Sequence, residues 1–198
     1  MFRSDYFGTG DSAGDTGEGT ILRWKTDIRS AAEELKALSG VKRLSIVGLR
    51  LGAALAAEAS AEGLQVQDLV LWDPVVIGSD YIDELTAMQH HLFPDIKEQS
   101  KEKLSDELLG HPFPLDMRSA IENVNLLGQS HYSAERIFII VSGERAEYLQ
   151  LREKLASNAI EIHYREVQDA GDWGDIKEYD QALLVNDILH EITAIFSE

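Results

Sequence analysis

The stretch Leu44-Ser45-Ile46-Val47-Gly48-Leu49-Arg50-Leu51-Gly52-Ala53-Ala54-Leu55 decides how the chain is read. A short run with β-branched residues stops at Gly48, and an alanine-rich run opens at Leu51. The first composition favours a strand and the second a helix. Gly48 and Gly52 stand two positions either side of Arg50. Glycines so placed let two chain segments cross at a sharp bend with no Cβ atoms between them. The stretch therefore predicts strand, tight turn with Arg50 at its apex, then helix.

Working outward, Ile21, Trp24, Ile28, Ala31, Ala32, Leu35 and Leu38 recur at helical spacing, with charged residues between them. They predict an amphipathic helix over 20–38, ended by Ser39-Gly40, with Trp24 packed in the core. Before it, residues 1–6 read as the tail of a strand. Gly8-Thr9-Gly10-Asp11-Ser12-Ala13-Gly14-Asp15 reads as a surface turn, because its acidic side chains oppose the anion that a glycine-rich loop otherwise invites. The elbow strand is expected over 43–47 and the helix after it over 51–62. The next strand, 68–72, is closed by Asp73-Pro74.

Strand and helix alternation breaks over 75–132, where three short helices are expected at 81–91, 97–109 and 117–127. Such an insertion reads as a helical cap within a single domain spanning 1–198. The alternation resumes with an aliphatic strand at 136–141 and a helix running from Ser142-Gly143-Glu144 to about 156. The last strand, 160–167, should turn Ile160, Ile162 and Tyr164 inward and Glu161, His163 and Arg165 outward. A polar loop at 169–175 follows, then a closing helix with Leu183, Leu184, Ile188, Leu189, Ile192, Ile195 and Phe196 on its apolar face. The pattern is α/β: a mostly parallel sheet flanked by helices, with right-handed crossovers.

Composition narrows the function classes. The chain has 198 residues, 35 acidic against 18 basic, and a formal charge of −17. That field repels phosphate backbones, so nucleic acid is not expected as a partner. There are no cysteines, which removes disulfides and thiolate metal ligands. His90-His91 and His111 read as surface or packing histidines, so no metal site is expected, and no cofactor motif is present. No apolar run reaches the ~20 residues of a membrane span, and Met1-Phe2-Arg3-Ser4-Asp5 lacks a signal-peptide core, so a cytoplasmic location is expected.

With these pieces placed, the chain resembles an α/β-hydrolase, and within that superfamily the serine-aminopeptidase-like group, including exosortase-associated hydrolases. Phe2-Arg3-Ser4-Asp5-Tyr6-Phe7-Gly8-Thr9-Gly10-Asp11-Ser12-Ala13-Gly14 resembles the group's "fDyxGxGdSxG" segment. Gly48-Leu49-Arg50-Leu51-Gly52 resembles the nucleophile elbow, G-x-S-x-G, with arginine in place of the serine. Asp172-Trp173-Gly174-Asp175 resembles the loop that holds the catalytic histidine. The resemblance implies that the chain opens at the fourth family strand. The missing third strand would leave a gap beside the elbow strand. Either the first segment shifts across to pair with 43–47, or a second copy or partner chain fills that edge.

The resemblance also implies a degenerate triad: Arg50 at the nucleophile position, Glu144 near the acid position and Asp172 near the histidine position. A guanidinium stays protonated and has no electron pair to attack with. Two functions follow as expectations. One is a non-catalytic module in which Arg50, the Leu51 and Gly52 N–H groups, Asp73 and Trp173 hold a small anion. In it, Arg50 competes with an internal ion pair to Asp73, Asp172 or Glu144. The alternative is an active serine-type ester or peptide hydrolase, or an acyltransferase, using another nucleophile (Ser12, Ser79 or Ser142) or a partner chain.

Overall fold

A computed structural model describes residues 2–93, 106–156, 160–167 and 186–197. In chain order the elements are α1 (Ile21–Ser39), β1 (Ile46–Leu49), α2 (Leu51–Ala61), β2 (Val66–Trp72), α3 (Gly78–Leu92), β3 (Glu107–Leu108), β4 (His111–Pro112), α4 (Leu115–Glu122), β5 (Ala134–Val141), α5 (Ala146–Ala156), β6 (Glu161–Glu166) and α6 (Asn186–Ile195). They gather into two compact units, residues 45–76 with 126–198 and residues 1–44 with 77–125.

The first of these units is built on a four-stranded sheet of order β1-β2-β5-β6, parallel throughout. Its register sets Ile46 beside Leu69, Leu69 beside Ile137, and Ile137 beside Ile162. The two central strands carry the aliphatic runs Leu69-Val70-Leu71 and Ile137-Phe138-Ile139-Ile140, all buried. Runs of this kind suit strands covered on both faces. Ala53, Ala54, Ala56, Ala57 and Ala59 are buried along α2, which packs on β1 and β2. Small side chains let the helix axis come close to the sheet. Ile188, Ile192 and Ile195 of α6 join Val70, Trp72, Phe138 and Ile140 in one cluster.

A buried ionic clasp ties the N-terminal ends of the strands. The Asp68 carboxylate, 2% exposed, accepts from Ser45 Oγ at 2.7 Å and from Arg136 Nε at 2.6 Å. The guanidinium also lies 5.3 Å from the centre of the Phe138 ring. Pairing on both oxygens offsets the desolvation of Asp68.

In the other unit, α1 starts where the Thr20 side chain accepts from Arg23 N–H at 3.2 Å and ends at Gly40 with φ 71°. Residues 2–6 form no strand, contrary to expectation. Side chains of α1 hold them instead. Tyr6 stacks on Trp24 at 5.3 Å, Phe7 N–H donates to Asp27 Oδ2 at 2.9 Å, and Trp24 Nε1–H donates to Phe7 O at 3.0 Å. Trp24 is thus a half-buried clamp on the leading segment and not a core residue. The glycine-rich stretch is a tight turn, closed by Gly8 N–H to Ala13 O at 2.8 Å.

Other expectations also shift. Of the helix expected at 97–109, residues 94–105 lie outside the described chain. Its end is a two-stranded hairpin, β3 against β4, reversed at Leu109 (φ 54°) and Gly110 (φ 80°). The third expected helix is the shorter α4, entered from Pro114 and closed at Asn123, whose Nδ2 donates to Ser119 O. The elbow strand begins at Ile46, not at residue 43. On β6, His163 is half-buried and not fully turned outward. It stacks on Phe138 at 4.6 Å while its Nε2 pairs with Glu161. Leu189 and Phe196 of the closing segment are exposed, which narrows the apolar stripe of α6. Leu183 and Leu184 lie outside the described residues. No described helix is long and apolar enough to cross a membrane.

Candidate functional site at the elbow

Arg50 sits between β1 and α2 with φ 51° and ψ −121°. A residue with a Cβ is strained there, at a cost of about 1–3 kcal/mol, so neighbouring contacts must hold it. Four backbone hydrogen bonds do. Arg50 N–H donates to Trp72 O at 3.0 Å, and Arg50 O accepts from Ala53, Ala54 and Val75 N–H at 3.1, 3.3 and 3.2 Å. The bend also folds the start of α2 back over the end of β1. A Cβ built on Gly48 would stand 2.5 Å from Ala53 Cα and 2.7 Å from Gly52 O. Only glycine fits that crossing.

A second strained residue lies one strand over. Asp73 has φ 42°, is 1% exposed, and donates its N–H to Ile140 O at 2.9 Å. Its carboxylate accepts twice from Ser142, from N–H at 2.8 Å and from Oγ at 2.7 Å. Val167 N–H donates in turn to Val141 O at 2.9 Å. The C-terminal ends of all four strands are therefore linked, and Arg50 stands on that platform.

Tyr148, on the first turn of α5 and buried, belongs to the same neighbourhood. Burial pushes its phenol up to about 12, and the Asp73 carboxylate adds to the rise. The Arg50 and Arg145 guanidiniums pull the other way. Charges of both signs thus converge on the phenol from the elbow, from the end of β2 and from the start of α5.

The expected site residues divide as follows. Arg50, Leu51 and Gly52 are together at the elbow and half-buried. Asp73 joins them at the strand ends, locked to Ser142. Glu144 is exposed on the loop after β5, and its charge acts on Tyr164. Asp172 and Trp173 lie outside the described residues. Of the serines weighed as nucleophiles, Ser79 Oγ pairs with Asp80 Oδ1 at 3.3 Å, Ser12 N–H closes a turn onto Thr9 O, and Ser142 serves Asp73. Among the described residues no histidine is hydrogen-bonded to Ser142, and no group of three or more potential ligands gathers to hold a metal. Sequence reasoning missed the Asp73–Ser142 latch and Tyr148. An acidic residue closing one apolar strand and a serine closing its neighbour were the available signal.

Two predictions follow from this geometry. Arg50→Gly should be more stable than Arg50→Ala by about 1–2 kcal/mol, because both lose the side chain and only alanine keeps the strained bend. Urea midpoints check this, and an alanine variant as stable as the glycine one contradicts it. The second concerns pH. The folded Tyr148 phenol holds its proton beyond the usual 10. Its contribution is complete below about pH 10 and is lost as pH rises toward about 12. Tyr148→Phe should therefore flatten the fall in urea midpoint between about pH 9 and about pH 11.5. Slopes identical to those of the parent contradict the placement.

No protein-family model matches the sequence, and no curated protein matches it. Solved structures do. An esterase from Pyrococcus furiosus is similar over 82% of this chain, with 19% identity and a TM-score of 0.52. The chain spans 59% of that esterase's length. Est1E from Butyrivibrio proteoclasticus, solved with ferulic acid bound, is similar over 96% of this chain and 76% of its own, with 14% identity and a TM-score of 0.59. A monoacylglycerol lipase from Paleococcus ferrophilus is similar over 91% of this chain and 79% of its own, with 17% identity and a TM-score of 0.54. At such identities the likeness speaks for architecture, and with the parallel sheet and the bend at Arg50 it shows that the chain carries an α/β-hydrolase fold.

Proposed function

We propose that this is an α/β-hydrolase-like protein with a degenerate active site, which holds a small anion at its elbow in the cytoplasm and does not hydrolyse it. The carrying observation is a permanent cation at the apex of a strand-to-helix bend. Arg50 occupies the place where a hydrolase of this fold presents its nucleophile. A guanidinium gives up no proton near neutrality and attacks no carbonyl. It does present paired N–H donors matched to a carboxylate or a phosphate. The partial positive charge at the start of α2 adds to it, with the Leu51 and Gly52 N–H groups beside it. Asp73 acts as a brace, since its carboxylate is spent on Ser142.

The competing reading is an active ester or amide hydrolase with a nucleophile elsewhere. One contact favours it: Ser142 Oγ lies 2.7 Å from Asp73 Oδ2 at the strand ends. Acyl transfer by serine also needs a base to pass the proton to the leaving group, and an oxyanion cradle. The Ser142 backbone N–H is bound to the same carboxylate, which makes the pair a latch.

Isothermal titration with acetate, benzoate, citrate and inorganic phosphate tests the proposal. The parent should bind at least one of them, and Arg50→Ala should weaken that binding by about tenfold or more, the loss of a charge-assisted pair. Equal affinity in parent and variant, or no binding of any of the four, contradicts it.

A further inference from the structure

The two edges of the four-stranded sheet are built differently. β6 carries Glu161, His163, Arg165 and Glu166, and Arg165 is paired with Glu191 of α6. Charges of this kind are how proteins protect an edge from pairing with another chain. β1 carries none. Its four residues are Ile46-Val47-Gly48-Leu49, and among the described residues it pairs with β2 alone. Val47 is 44% exposed and Leu49 37%.

Register fixes where the backbone groups of those two residues point. Arg50 N–H bonds to Trp72 O, so in a parallel ladder residues 50, 48 and 46 address β2. Val47 and Leu49 then direct both their N–H and C=O groups away from β2, to the open edge. The edge thus offers two unpaired backbone units and two apolar side chains on one face, with no charge among them.

We propose that this edge pairs with the β1 edge of a second copy of the chain, antiparallel and centred on Gly48. The register is self-complementary. Val47 meets Leu49 of the second copy and Leu49 meets its Val47, so the outward N–H and C=O groups satisfy one another and the apolar side chains form cross-strand pairs. Gly48 faces its own counterpart at the centre, where it lacks a side chain to obstruct. Arg50 falls opposite Ile46, so no like charges oppose each other across the ladder. The sequence around this edge is poor in acidic residues. The chain bears −17, yet no Asp or Glu occurs between Glu34 and Glu58. Two acidic copies meet with least repulsion at the segment that lacks acidic residues. The paired edge is short, well below the ~1,200 Å² of total surface that a stable dimer buries, so the association is a weak, concentration-dependent one. The proposal stands on the sheet edge and not on what Arg50 binds.

Sedimentation velocity over a concentration series tests it, with the parent, Val47→Lys, Leu49→Lys and, as a control at the far edge, Glu161→Lys. The parent and the control should move from monomer to dimer as concentration rises. Raising salt from about 50 to about 500 mM should strengthen the dimer, because salt screens the repulsion between two acidic chains. Each β1 variant should weaken association by about tenfold or more while keeping the parent's circular dichroism spectrum, since a lysine there blocks the edge. A parent that stays monomeric at every concentration and salt overturns the proposal. So does a dimer that survives both β1 substitutions, which would place the contact on another surface.

Discussion

The fold of the sheet-bearing unit depends on one crossing, where the first turn of α2 passes over the end of β1 on the bare Cα of Gly48. A methyl group at that point would overlap the helix backbone at 2.5 Å. The crossing forces Arg50 to a positive φ, and that strain must be opposed by bonds on both sides. Trp72 O takes the Arg50 N–H, and the Arg50 carbonyl gathers three donors. Asp73 repeats the arrangement at the end of β2, with Ser142 supplying both donors to its buried carboxylate. Strain of this kind persists only where the surroundings over-determine it, and it concentrates at places that act on ligands.

What the platform presents follows from one side chain. With a serine at the apex, the same bend sets a hydroxyl above a helix N-terminus for attack and collects the resulting oxyanion on backbone donors. Here the bend carries an arginine. In the proposed reading the backbone donors remain, and the positive end of α2 works with a fixed cation where the serine would stand. The Tyr148 phenol, kept protonated by burial and by Asp73, adds a neutral polar group to the surroundings of that cation.

Much of this architecture was legible in the order of residues. Glycines flanking residue 50, alanines along 53–61 and aliphatic runs at 69–71 and 137–140 each carry a local propensity that tertiary packing reinforces. The pattern failed where side chains rather than periodicity decide the backbone. Residues 2–6 read as the tail of a strand, yet Tyr6 stacks on Trp24 and the next residue, Phe7, is bonded to Asp27. The hairpin at 107–112 looks like a helix end, but the positive φ values at Leu109 and Gly110 reverse the chain. At the site, Arg50 was visible because it breaks a motif. The Asp73–Ser142 latch was not, because its members are 69 residues apart and only the register of β2 against β5 joins them.

The central claim is that a scaffold of this kind, with a guanidinium at its bend, has no activated serine. Labelling of the intact protein with a fluorophosphonate probe, read by mass spectrometry, tests that most directly. The account predicts an unmodified mass after prolonged exposure near neutral pH. A stoichiometric adduct on any serine, Ser142 above all, would contradict it.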